Sequence, residues 1–309
     1  TQFIRCRVLT IFGALKLVAA GERRDERGVI PVDATPEGWA NDQNANFQRL
    51  ALLVRRARPD LTLTLAYVAH GLRGPGDDAA DAAQVGAVAS TLGVDHAVLP
   101  VRVGRGGGIE AAARDARHAA LEDRARAVGA TAVLLGHHAE DQAETLLLRL
   151  ARGTGSDGLA GMAPLTGRRV RPLLAVRRAD VHRVAAAAAP GAAAVMRGAR
   201  RDPMNDDDAF ARVRVRHDVL PALARVGPDP VGALTRLADL ARDETAALEA
   251  AADLLAASLP VVTVGTARAV PSAGLRAAAP AHARRVLRRL LGTGGAAGVE
   301  RVLVAPDGW

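Results

Sequence analysis

Residues 136–145 read GHHAEDQAET. Two histidines, three carboxylates, an amide and a hydroxyl in ten residues can bind a metal, move a proton or hold a nucleotide. His137 and Asp141 are four apart, as are Glu140 and Glu144, so on a helix each pair shares one face. The HExxH order of a zinc protease is missing. First-turn carboxylates also complement a helix dipole with no further purpose. A nucleotide-and-magnesium site is the third option, with helix-start amides facing phosphate and carboxylates holding the metal. These residues alone leave all three open.

Other stretches carry chemistry too. RGTGSDGLAGM (152–162) is a glycine-rich loop just behind the acidic segment. Alone it is an ordinary turn signal. EAAARDARHAAL (110–121) sets Arg114 and Arg117 three apart on one helix face, which also suits a solvated surface. RDPMNDDDAFARVRVRHDVLPAL (201–223) joins an Asp-Pro turn, an acidic patch and then Arg212, Arg214 and Arg216. Spacing of two fits a strand edge, whereas on a helix Arg212 and Arg216 share a face. An acidic loop beside an arginine row suits an amine-bearing substrate next to a phosphate. It suits a plain surface charge cluster equally well.

The elements that must position these groups alternate. NFQRLALLVRRARPD (46–60) reads as a helix and LTLTLAYVA (61–69) as a buried strand. A helix follows over 77–93, a strand over 95–103, a helix over 109–129, a short strand over 131–136 and a helix over 139–151. This order predicts an α/β fold, a parallel sheet with helices on both faces. Ligands of such sheets bind beyond the carboxyl ends of the strands, where His70, Gly104–Gly108 and His137–His138 fall. After about residue 220 the alternation stops. Amphipathic helices are expected over 229–259 and 279–292, the second basic, with a short strand at 261–264. The expected organisation is a segment over 1–45, an α/β domain over 46–215, which the resemblance given below implies is nucleotide-binding, and a smaller helical domain over 216–309.

The 309 residues suffice for one large or two ordinary domains, each able to bury its own core. Cys6 is the single cysteine, which excludes a disulfide framework and any multi-cysteine metal site. The net charge is +8 and the pI about 11.1, and arginine supplies every basic residue except Lys16. That balance suggests a polyanionic partner, nucleic acid ahead of membrane. Aromatics make up 2% of the chain, so recognition would rest on arginine–phosphate contacts rather than base stacking. Residues 5–21 run basic, apolar, then small, but Lys16 breaks the apolar stretch. No export and no membrane span are expected, and the expected compartment is the cytoplasm. The first residue is Thr, so the true start is expected to lie elsewhere.

Taken in order, GHHAEDQAETLLLRLARGTGSDGLAGM, VRPLL (170–174) and DPMNDDDAFARVRVRHDVLPAL resemble the tRNA(Ile)-lysidine synthase family of PP-loop ATP pyrophosphatases. YVAHGLRG (67–74) and the Arg114 helix resemble two further family segments, so the likeness spans roughly residues 60–225. The resemblance implies ATP-dependent ligation of free lysine to C2 of the wobble cytidine of the isoleucine tRNA with a CAU anticodon. ATP would first adenylate the cytidine oxygen, and the lysine amine would then displace AMP. Mg2+ is the implied metal, and a homodimer is among the assemblies the family reading admits.

The resemblance also suggests roles. Arg114, His137, Asp141, Glu144 and Arg212 would be catalytic. His70, Gly136, His137, Arg152 and Gly153 would border the nucleotide. Gln142, Thr145, Asp202 and Asn205 would meet the substrates, and Asp141 with Glu144 would hold the metal. The family's SGGxDS element, expected just upstream of the 46–60 helix, does not occur in the chain, and no glycine lies between Gly38 and Gly71. Ala69 also stands where the family usually has a polar residue. The alternatives are a non-catalytic RNA-binding relative, another PP-loop tRNA modifier such as a thiolase, and, more distantly, a metallohydrolase. The single cysteine argues against sulfur transfer.

Overall fold

The computed structural model describes residues 43–71, 75–104, 109–188, 208–260, 262–264, 267–269 and 272–291. Helix α1 (Gln43–Ala57) carries the run Leu50–Val54, every residue of which is buried, so this stretch is core all round. Strand β1 (Thr64–Ala69) follows and buries Leu65, Tyr67 and Val68. Helix α2 (Pro75–Leu92) carries the chain over to β2 (Asp95–Pro100), which lies parallel to β1 in register from Thr64↔Asp95 to Ala69↔Pro100. A helical crossover is what a parallel pair requires. The Tyr67 hydroxyl donates to Asp78 Oδ1 at 2.8 Å, and the Gly71 amide donates to Asp78 Oδ2 at 2.8 Å, so one α2 carboxylate pins the chain leaving β1.

Helix α3 (Ile109–Ala127) ends at Gly129, whose φ of 64° an L side chain rarely adopts. Strand β3 (Val133–Leu134) is short and runs straight into α4 (Ala139–Ala151). A four-residue turn, α5 (Ser156–Leu159), precedes a tight hairpin, β4 (Leu165–Thr166) and β5 (Arg169–Val170). Strand β5 pairs parallel to β3, and α6 (Arg178–Ala188) packs on α1. Both parallel pairings carry the α/β expectation. Among the described residues the strands of this region form two pieces, β1–β2 and β3–β5–β4. Val85, Val88 and Ala89 of α2 and Val181 and Ala185 of α6 close the main core around α1 and β1.

The arginine row resolves as helix: α7 (Ala211–Arg214), a π turn over Val215–Val219, and α8 (Leu220–Ala224). Two-residue strands carry too little pattern for the hairpin to be legible in the sequence, whereas the alanine run broken by Pro190 reads as a helix end and marks the C-terminal part of α6.

The chain divides into two compact units. One holds the chain up to Leu148 together with Met162–Thr235, and the other holds Arg149–Gly161 together with the chain from Arg236. The sequence boundary had been drawn at 215/216, with the glycine loop on the nucleotide side. The second unit contains most of α9 (Pro230–Ser258), the hairpin β6 (Val262–Val264) with β7 (Ala267–Ala269), α10 (Ser272–Ala277) and α11 (Pro280–Leu291). Its core is Ala252, Leu275, Ala283, Val286 and Leu287.

The basic helix α11 is largely neutralised from within. Arg285 is buried and pairs with Glu249 and with Asp157 (2.8 Å), Arg288 pairs with Asp157 (2.6 Å), and Arg289 pairs with Glu249 and Asp253. These bonds also anchor the glycine loop, whose carbonyls accept from Arg149 (Gly158, 3.0 Å; Gly161, 2.8 Å) and Arg242 (Ala160, 3.1 Å). No helix among the described residues is long and apolar enough to cross a membrane.

Candidate active site

The first two turns of α4 bury Ala139, Asp141, Gln142, Ala143, Glu144 and Leu146. Three of these are polar, and buried polar groups need partners. Asp141 finds one at the helix start. Its Oδ2 accepts the His138 backbone N–H at 2.9 Å, while the Asp141 N–H lies 3.4 Å from His138 Nδ1. The Asp141 carboxylate thus satisfies one helix-start N–H, one half of a capping box. Glu140 caps a second helix, accepting the Arg178 N–H at the start of α6 at 2.9 Å, and its Oε2 lies 3.1 Å from His138 Nδ1. Burial opposes ionisation of Glu140, but the bonds from His138 and Arg178 outweigh it and bring its pKa down to about 2. Asp141 is likewise held below the usual carboxylate range, with His138, His137 and Arg212 overcoming its burial.

Gln142 is fully buried and clamps one residue at both ends. Its Nε2 donates to the Met162 carbonyl at 3.0 Å, and its Oε1 accepts the Met162 N–H at 2.8 Å. Glu144, 1% exposed, meets the arginine helix. Arg216 binds it through two parallel bonds, Nε to Oε1 at 2.7 Å and Nη2 to Oε2 at 3.1 Å. Arg212 Nε lies 3.5 Å from Glu144 Oε2, and its Nη2 donates to Thr145 Oγ1 at 3.3 Å. Packing explains the meeting: the small side chains of Ala139 and Ala143 let Val215 and Leu220 against α4. Two arginines four apart then converge on one carboxylate.

Some donors are left over. Arg212 Nε, Arg171 Nε and His137 Nδ1 are buried and make no hydrogen bond. They lie close enough to interact, since burial first, then the charges of Arg171, Arg212 and Arg117, bring the His137 pKa down to about 4 against the opposing pull of Asp141. His137 is therefore neutral at physiological pH. A polar wall with unused bonding capacity, supported by a paired carboxylate behind it, is suited to binding an oxygen-rich substrate.

Three histidines share this depression. His118 is held to about 4 by burial and by Arg169, Arg117, Arg171 and Arg114, and His182 to about 3 by burial, Arg49, Arg178 and His138. Folding therefore favours neutral imidazole, whereas the unfolded chain takes up protons below about pH 6.5. Stability is complete above that value and falls as pH drops toward 4. Asp141 and Glu140 act in the same direction at lower pH: their contribution is present above the ordinary carboxylate range and is lost as pH falls through their depressed values. Urea unfolding from pH 4.5 to 7.5 should show stability rising with pH, with uptake of about one proton per buried histidine on unfolding near pH 5. A flat profile over that range would contradict these environments.

The expected site residues divide as follows. His137, Asp141, Gln142, Glu144, Thr145 and Arg212 come together on and around α4. Arg114 is exposed on α3, close enough to act on His118. His70 is half-buried just after β1. Gly136 has a packing reason, because a Cβ there would meet Phe47 N at 3.0 Å and Asn46 C at 3.1 Å. Gly153 closes α4 with φ 73°, its N–H on the Leu150 carbonyl, and exposed Arg152 bonds back to Arg149; both belong to the second unit. Asp202 and Asn205 lie outside the described residues.

The magnesium expectation does not fit the carboxylates named for it. Both Glu144 oxygens are taken up by arginine, and Asp141 is occupied with its cap. Among the described residues no group of three or more His, Cys, Asp or Glu side chains could hold a metal. Arg216 and Arg171 are not among the site residues expected from the sequence, whereas His138 is expected only as a strand-end neighbour of His137. The i,i+4 spacing of Arg212 and Arg216 was the signal available for the first.

Comparison with known proteins adds a consistent set of likenesses. Residues 46–223 match the PP-loop domain family. The tRNA(Ile)-lysidine synthase of Thermobifida fusca is 47% identical over 227 residues, 72% of this chain and 65% of that protein. That of Nocardia farcinica is 44% identical over 84% of this chain and 77% of its own length. That of Mycobacterium tuberculosis is 40% identical with the same coverages. The chain spans 65%, 64% and 63% of the length of the Thermobifida, Leifsonia and Streptomyces relatives. Among solved structures, the U34-tRNA thiolase NcsA of Methanococcus maripaludis is similar in fold, with a TM-score of 0.50 at 16% identity over 65% of this chain and 70% of that one.

Proposed function

Because the chain belongs to the PP-loop family that includes the tRNA(Ile)-lysidine synthases, we propose that it ligates lysine to C2 of the wobble cytidine of the CAU-anticodon isoleucine tRNA. ATP and free lysine are the co-substrates, the cytidine is adenylated first, and AMP leaves as the lysine amine attacks. The observation that carries this reading is the α4 wall. It combines the family likeness with two buried nitrogens that make no hydrogen bond, Arg171 Nε and His137 Nδ1, and with Arg212 Nε, which lies 3.5 Å from Glu144 Oε2. In this reading Arg212 and His137 face the reacting oxygens, and Arg114 stabilises phosphate charge. Glu144 is a positioning residue: with both oxygens on Arg216 and Arg212 beside it, it fixes where the guanidinium groups point. Asp141 and Gln142 hold the helix start and Met162. No Mg2+ step is assigned to Asp141 or Glu144.

The test is AMP release with ATP, Mg2+, lysine and the CAU-anticodon tRNA, each omitted in turn. Release that needs all of them is expected. Binding of the tRNA without AMP release would overturn the ligase reading. It would favour the second one, a non-catalytic RNA binder, to which the missing SGGxDS motif points.

A further inference from the structure

Among the described residues, several arginines gather where α3 faces β5. There His118 has Arg169 Nη1 2.9 Å from its Nδ1, and the charges of Arg169, Arg117, Arg171 and Arg114 all act on it. The largest charge effects on this histidine all come from arginine. Glu122, on the same helix, is engaged by Arg168 at 3.2 Å. Arg171 is buried, with Nη1 on the Ala163 carbonyl at 2.7 Å, Thr166 Oγ1 at 3.4 Å and its Nε unbonded. Its own pKa is lowered by burial and by Arg169.

Like charges held together in a half-buried setting are unfavourable unless an anion joins them. Neutral His118 accepts the Arg169 N–H at Nδ1, which puts its proton on Nε2 and leaves a second donor at the same place. We propose that this group, Arg169 and Arg171 with His118 beside them, is a site for one backbone phosphate of the RNA substrate. The proposal rests on the tRNA reading above. A phosphodiester suits the site better than a nucleotide triphosphate. All its donors are side chains, mostly guanidinium, which is how proteins hold a nucleic-acid backbone. A triphosphate is characteristically cradled by backbone amides at a glycine loop or helix start, and none contributes here. Arg169 is the residue to change, since it is only half-buried and its other charged neighbours remain.

The experiment is tRNA binding by the full chain over a series of salt concentrations, with ATP affinity measured on the same samples and folding checked by thermal unfolding. Arg169→Ala should weaken tRNA binding roughly tenfold near 0.1 M salt and reduce the slope of log K against log salt by about 1, with ATP affinity unchanged. Arg169→Lys keeps the charge and should keep the slope. An unchanged slope in a folded Arg169→Ala protein would overturn the proposal. So would lost ATP affinity with tRNA binding intact, which would mean a nucleotide phosphate sits there. Binding needs no turnover, so a chain that releases no AMP still answers this question separately from the ligase reading.

Discussion

Glu144→Ala is expected to lower the unfolding free energy by about 3–5 kcal/mol and to abolish AMP release. The carboxylate is 1% exposed and holds Arg216 by two bonds, with Arg212 beside it. Deleting it leaves two guanidinium groups crowded, partly out of water, without a counter-charge. The cost comes mainly from the stranded arginines, since a well-placed buried pair contributes little net stability over an apolar substitute. A second variant separates structure from function. Glu144→Leu combined with Arg216→Leu should recover much of the lost stability while AMP release stays absent, because Arg212 has lost its orienting partner. Urea unfolding and AMP release read the two quantities. If Glu144→Ala stayed within about 0.5 kcal/mol of the parent, the buried pair would not be as described.

Gly136→Val carries the second large effect. A Cβ at this position would lie 3.0–3.1 Å from three backbone atoms of Asn46 and Phe47, and backbone cannot swing aside as a flexible side chain can. Gly136 follows β3, and Asn46 and Phe47 are in the first turns of α1, so the missing side chain is what lets α1 lie directly against the chain entering α4. Overpacking of this kind costs about 1–3 kcal/mol, and valine should reach the upper end because its γ-carbons add to the clash. Gly136→Ala should cost less. Since His137 and His138 come next, the shift should also weaken ATP or tRNA binding. An Ala or Val variant with unchanged melting temperature would show that α1 does not approach this closely.

Much of the scaffold was readable because its signals are local. Buried β-branched runs at 61–69, helical periods at 77–93 and 109–129, and Gly129 as a helix stop all depend on neighbouring residues, and the structure has these elements within a few residues. The acidic segment was readable as a helix start for the same reason. What each of its polar residues does was not readable. Asp141 and Glu144 look alike in sequence, yet one is a cap and the other an ion-pair partner of a helix some seventy residues away. Gln142 serves Met162, and Gly136 lets the backbone of Asn46 and Phe47 come close.

Length, composition and motif order by themselves determined an α/β chain, strongly basic through arginine, with a PP-loop likeness. Only the tertiary structure decided which charges are cancelled and which are left over. It neutralised most of the basic helix at 280–291, buried Glu144 between two arginines, and brought Arg169 and Arg171 together with His118. The reason is physical: periodicity and capping act over a few residues, whereas the charge a group presents depends on partners brought close by packing, and their sequence separation carries no record of that.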